Sequence, residues 1–197
     1  MFPFSDASLH HRTLPYVTMG LISLSVLVFL YEMTLGGGGT LTGSSSLDLD
    51  IFFLKWGFIA DELTAEQPYR NLRTGIGLVS IETPVHTGFT IFSSMFIHGG
   101  FMHLAGNMMF LWVFGDNIED RLGHLRYLVF YLIAGSAATL SQWVIDTSSQ
   151  TPLIGASGAI SGVLGAYLII FPHNRIKAVS YTHLRAHETR HDLVCRL

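Results

Sequence analysis

Long apolar runs alternate with short clusters of charge along the whole chain. Leu14–Tyr31 has eighteen residues without a charged side chain. Similar runs cover Phe101–Gly115, Tyr127–Ile145 and Pro152–Phe171. A helix needs roughly 20 apolar residues to cross about 30 Å of hydrocarbon, so the pattern predicts spans at about 14–31, 101–115, 127–145 and 152–171. The second is short by that measure. The apolar stretch Gly88–Ile97 before it adds length, and it contains His103 and Asn107. Backbone groups in lipid must be satisfied within the segment, which makes these spans helical. The expected fold class is all-α, a polytopic transmembrane bundle.

The first connection, residues 36–100, is long. It opens on glycines and serines (Gly36–Gly39, Gly43–Ser46), a flexible start. Within it, Ile51–Ile59 is bulky and aromatic but too short to span, which suits a segment lying along the membrane surface; a hairpin or folded loop is the plainer alternative. Arg12, Arg121, Arg126, Arg175 and Lys177 flank the spans, whereas the loop Asp146–Thr151 has no basic residue. Basic residues in short loops stay cytoplasmic. The expected topology has residues 1–13 in the cytoplasm, 36–100 outside, Arg121 inside, Asp146 outside and Arg175 inside.

Composition supports a membrane protein. Of 197 residues, 49% are hydrophobic and 13% charged, against a usual charged share of about 25%, and the mean hydropathy is +0.43. The net charge of −3 gives no basic surface for nucleic acid. Cys195 is the single cysteine, so neither a disulfide framework nor a cysteine metal site is expected. No cleavable signal sequence is expected, and a bacterial inner membrane is the expected location.

The spans carry a polar constellation. In the expected topology the second and fourth spans both enter from the outer side. His103 and Asn107 then lie about 5 and 10 Å along one, and Ser157 about 7 Å along the other. His103 and Asn107 are four apart and share a helix face. Intramembrane polar groups face a bundle interior or a water-filled cavity. Two bland readings stand beside a site: His103 and Asn107 can hydrogen-bond between helices, and Gly158 with Gly162 makes a small-residue packing pair. A metal set of His98, His103, Met102 and Met108 has poor spacing and no carboxylate, so no metal and no cofactor are expected. Ser157 itself sits where a helix begins. Unpartnered N–H groups at a helix start favour negative charge, as develops on a carbonyl oxygen during acyl transfer. Such a serine also needs a base, normally histidine.

His98-Gly-Gly-Phe-Met-His103-Leu-Ala-Gly-Asn107, followed by Gly155-Ala-Ser157-Gly158, resembles the rhomboid intramembrane serine proteases. The similarity covers about Leu14–Lys177, with the long first loop and the Glu119-Asp120-Arg121-Leu122-Gly123 turn. It implies a bundle of six or seven helices, four of the usual six being present here. It implies Ser157 as nucleophile, His103 and Asn107 as oxyanion-stabilising groups, Gly155 shaping the serine turn, and Gly158 and His98 in support. The implied partners are transmembrane protein substrates in the lipid bilayer.

The family's base is a histidine on its sixth helix, and the fifth and sixth spans are not in this sequence. Residues 178–197 read as a polar, solvated tail whose abrupt change of character suggests non-native sequence, with His183, His187 and His191 every four residues. His173 and the tail histidines emerge on the cytoplasmic face, away from Ser157. The chain as written is therefore expected to be C-terminally truncated and inefficient as a protease, since losing the histidine of a serine triad costs about six orders of magnitude. A rhomboid-like protein that binds transmembrane clients without cutting them is the alternative. A channel or transporter is disfavoured because no acidic residue falls inside an expected span.

Overall fold

The computed structural model describes residues 2–6, 13–43, 46–67, 69–74, 77–82, 86–172, 176–179 and 194–195. It is mostly helical. Four long helices, α1 (Tyr16–Gly36), α6 (Phe101–Leu122), α7 (His124–Ile145) and α8 (Ser157–Ile170), make the bundle. Shorter helices lie in the long connection: α2 (Gly39–Thr42), α3 (Leu47–Trp56), α4 (Ala60–Ala65) and α5 (Thr90–Ser93). Strand β1 (Phe2–Asp6) pairs antiparallel with β4 (Ile176–Val179), which pairs with β5 (Val194–Cys195). Strands β2 (Asn71–Thr74) and β3 (Gly77–Ser80) form a hairpin.

Helix α6 is central. It packs on α1, α7 and α8, and α7 and α8 pack on each other. Leu104, Met108, Leu111, Phe114 and Ile118 of α6 meet Tyr127, Tyr131, Ala159, Val163 and Tyr167 in the core. The α7–α8 seam is made of small residues. A Cβ on Gly158 or Gly162 would come within 2.6 Å of the Ala138 Cβ or 2.5 Å of the Ala134 Cβ. The packing reading of that glycine pair therefore holds.

Two helices, Tyr16–Gly36 and His124–Ile145, are long and apolar enough to cross a membrane, and α8 is apolar but shorter, at 14 residues. Their outward faces carry large apolar side chains such as Leu27, Leu125, Ile133, Val144 and Ile169, all more than half exposed. A water-facing surface would not carry such stripes; lipid would cover them.

Several boundaries differ from the sequence pattern. First, α1 does not stop at Tyr31. It continues through Glu32 to Gly36, so one acidic residue lies within this helix and is fully buried. Second, α6 runs past Gly115 to Leu122, because its polar end is used to anchor α1. Third, α8 begins at Ser157 rather than Pro152. Leu153 is held in a β-bridge because it and Phe58 exchange both backbone hydrogen bonds, at 3.1 and 2.7 Å, and Gly155 turns the chain with φ +117°.

The bulky segment after Ser46 is helical as α3. The Ser46 hydroxyl accepts from the Leu49 N–H, Asp48 and Asp50 occupy its first turn and Lys55 its last, charges that suit the helix dipole. Strand β4 takes in Ala178 and Val179, the first two residues of the 178–197 segment. Arg12, His173, Arg175, His183, His187 and His191 lie outside the described residues.

Candidate active site

Ser157 is the first residue of α8 and is exposed. No side chain caps this helix, and its first described backbone bond runs from Ile160 to Ala156. The N–H groups of its first turn thus remain donors without an intrahelical acceptor. The hydroxyl itself receives no hydrogen bond among the described residues. A cleft of about 120 Å³ opens beside it, lined by Met95, Thr139, Gln142, Ile154 and Gly155 among others.

The loop before Ser157 is clamped on three sides. The Gly155 N–H donates to the Ser94 carbonyl at 2.8 Å. Phe58 pairs with Leu153, and a Cβ on Gly57 would strike Pro152 at 2.9 Å. Further out, the Asp61 N–H donates to Ser149 O (3.1 Å), the Thr64 hydroxyl to Thr147 O (2.8 Å) and the Trp143 indole to the Thr64 oxygen (2.9 Å). The long connection is thus the splint that holds the serine turn.

His103 and Asn107, one turn apart on α6, face that turn. A Cβ at position 155 would come within 2.7 Å of the His103 ring, at Cε1 and Nε2, and 3.8 Å from Asn107 Nδ2. Two independent facts demand glycine there: the positive φ, and the imidazole pressed against its α-carbon. Asn107 Nδ2 is buried and has no acceptor among the described residues. An unmet buried donor costs about 1–3 kcal/mol, so its placement next to the serine turn is informative. His98 is fully buried, and its ring meets the His103 ring edge-on with centroids 5.2 Å apart. The expected site residues therefore converge: Ser157, Gly155, His103, Asn107 and His98 lie together, while Gly158 faces α7. No group of three metal-ligating side chains occurs among the described residues.

The Rhomboid domain matches residues 86–184, half of the chain. The chain belongs to the rhomboid family. It is thus a member of an integral membrane family. Its relatives include RHOMBOID-like protein 5 of Arabidopsis thaliana, 37% identical over 78 residues that make 40% of this chain and 25% of that protein. Rhomboid protein 1, mitochondrial, of Saccharomyces cerevisiae is 36% identical over 96 residues, 47% of this chain and 28% of that protein. Rhomboid protease GluP of Bacillus subtilis is 30% identical over 171 residues, 87% of this chain and 28% of that protein. The chain spans about a quarter of the length of these curated relatives. No solved structure matches it. The relatives are plant, yeast and bacterial, so they identify the membrane family without selecting the bacterial inner membrane.

Two residues beside this candidate site carry no sequence signal for it. Glu32 directly follows the uncharged run Leu14–Tyr31. Ser94, whose carbonyl fixes Gly155, gave no signal, because any residue offers a carbonyl.

Proposed function

We propose that this chain carries the nucleophile and oxyanion half of a rhomboid-type intramembrane serine endopeptidase. The observation that carries the reading is the contact of His103 and Asn107 with the Gly155 turn immediately before Ser157. Ser157 attacks a peptide carbonyl of a transmembrane substrate, forming an acyl-enzyme that water hydrolyses. The developing oxyanion is met by the N–H groups of the first turn of α8, the Asn107 amide and the His103 ring. Each such donor is worth about 3 kcal/mol in serine proteases. In this reading α6 and α8 span the membrane with α1 and α7, and the N-terminus is cytoplasmic. At 14 residues, α8 is only about 21 Å long, against about 30 Å of hydrocarbon. A helix that short starts inside the bilayer if its far end reaches the opposite face, which sets Ser157 below the surface.

No hydrogen bond joins Ser157 to a histidine among the described residues. A base must come within hydrogen-bond reach, directly or through one water. By the resemblance that role belongs to a histidine on the family's sixth helix, and we assign it to none of the described histidines. That absence among the described residues favours a second reading, a rhomboid-like protein that holds transmembrane clients without cutting them. The test is cleavage of a single-span reporter by the intact protein in liposomes. Cleavage abolished by Ser157→Ala supports the protease. Client capture without cleavage, unchanged by Ser157→Ala, supports the binder and sinks the protease.

A further inference from the structure

The segment that leads into α6 is held by individual contacts rather than by regular secondary structure. Ile97–Gly100 is neither helix nor strand, and Gly100 is extended. Its backbone donors have no ladder to join, and buried N–H groups require acceptors. The His98 N–H is met by a side chain from 66 residues earlier: it donates to Glu32 Oε1 at 3.1 Å. Glu32 and His98 are both fully buried.

The His98 ring is oriented from its other side. Its Nδ1 lies 3.2 Å from the Phe96 carbonyl. A carbonyl only accepts, so Nδ1 carries the proton and Nε2 is the bare acceptor of the neutral ring. Neither His98 Nε2 nor Glu32 Oε2 has a partner among the described residues. Buried polar atoms left without partners are uncommon where a side chain serves the fold alone. From His98 the contacts continue to the edge of the His103 ring and on to Gly155.

We propose that Glu32 is a positioning residue for His103. Its carboxylate fixes the His98 backbone, the His98 ring then sets the plane of the His103 ring, and His103 meets the serine turn at Gly155. Glu32 touches neither substrate nor Ser157; it acts through His98. Its effect would be geometric, and misplacing a catalytic group by about 1 Å can cost about 100-fold in rate. The inference rests on the reading of His103 as an oxyanion donor.

The experiment uses ¹⁵N-histidine-labelled protein in phospholipid nanodiscs and follows the ring resonances of His103 together with hydrogen exchange at the His98 amide. Glu32→Ala is expected to speed His98 exchange at least tenfold and to shift the His103 ring signals. Glu32→Gln keeps an acceptor oxygen and is expected to restore both. Should Glu32→Ala fail to fold, Glu32→Asp retracts the acceptor by one methylene and is expected to shift His103 in the same way. Unchanged His103 signals in Glu32→Ala, or in Glu32→Asp where that variant stands in, overturn the proposal. So does a Glu32→Gln protein as perturbed as the alanine variant. In the cleavage assay, Glu32→Ala is expected to lower kcat with KM unchanged. Failure of the donor reading would look different: His103→Ala would then leave kcat unaltered while the Glu32-dependent resonance shifts persisted.

Discussion

Two buried carboxylates join α1 to the α6 region, one at each end of the antiparallel pair, and they are built differently. Glu119, near the end of α6, is saturated. Its Oε1 accepts from the Val17 N–H (2.8 Å) and contacts His124 Nδ1 (2.6 Å); its Oε2 accepts from the Thr18 N–H (2.8 Å) and hydroxyl (2.7 Å). Those N–H groups are orphan donors of the first turn of α1, and a carboxylate there also meets the positive end of the helix dipole. Asp120 extends the cap to the Thr13 N–H and hydroxyl. Glu32, toward the end of α1, accepts one bond from the His98 N–H, and its second oxygen has no partner among the described residues. The saturated end is an anchor. The unsaturated end adjoins His98 and Asn107, whose Nε2 and Nδ2 are likewise without partners among the described residues. The two carboxyls thus differ in how fully their own oxygens are satisfied, the fuller set at the anchor and the emptier one beside the candidate site.

The largest expected break in that contrast is at the anchor. Glu119→Ala strands two backbone donors and a hydroxyl and should destabilise the bundle by about 3 kcal/mol, read from unfolding in mixed micelles. Glu32→Ala removes one such bond and should cost less than half as much. The reverse order would end the distinction between anchor and site. Next comes the helix seam. Gly162→Val places a methine carbon against Ala134, and overpacking of this kind costs about 1–3 kcal/mol. Adding Ala134→Gly should recover part of the loss; no recovery would mean that the two helices do not meet there.

Gly155→Ala should split the two properties. A strained left-handed residue costs about 1–3 kcal/mol, and the new methyl displaces the His103 ring. We expect at least 100-fold less cleavage with the helices retained by circular dichroism. Wild-type cleavage in that variant would separate His103 from the serine turn.

The smallest effect concerns the splint. Glu62 in α4 is buried, and burial raises its carboxyl above the usual carboxylate range, opposed by the Tyr69 N–H bond and helped by nearby Asp61. Its raised folded value means that the folded state holds a proton the unfolded state releases. Stability therefore falls as pH rises through the window from the unfolded to the raised value. Hydrogen exchange of residues 58–69 should quicken across that window, and Glu62→Gln should flatten the response.

Much of this was legible in the chain. The apolar runs located the four long helices, and two separated motifs located Ser157, His103 and Asn107. The ends were less legible for physical reasons. Glu32 reads as a terminator when hydropathy is the criterion, yet a buried backbone donor on a distant segment gives its carboxyl a partner inside the helix. The start of α8 reads as Pro152 because Leu153 and Ile154 are apolar. A backbone pairing with Phe58, nearly a hundred residues away, holds Leu153 in a β-bridge instead. Glu119 was visible only as part of a resemblance, and its work as a cap for α1 required the fold.

Reaction of the bilayer-embedded intact protein with a fluorophosphonate, mapped by peptide mass spectrometry, tests the central claim most directly. The expected result is a single adduct on Ser157, with its rate lowered about 100-fold or more by His103→Ala or Asn107→Ala. Reporter cleavage that proceeds with no adduct on Ser157, or labelling indifferent to both α6 side chains, would contradict the account.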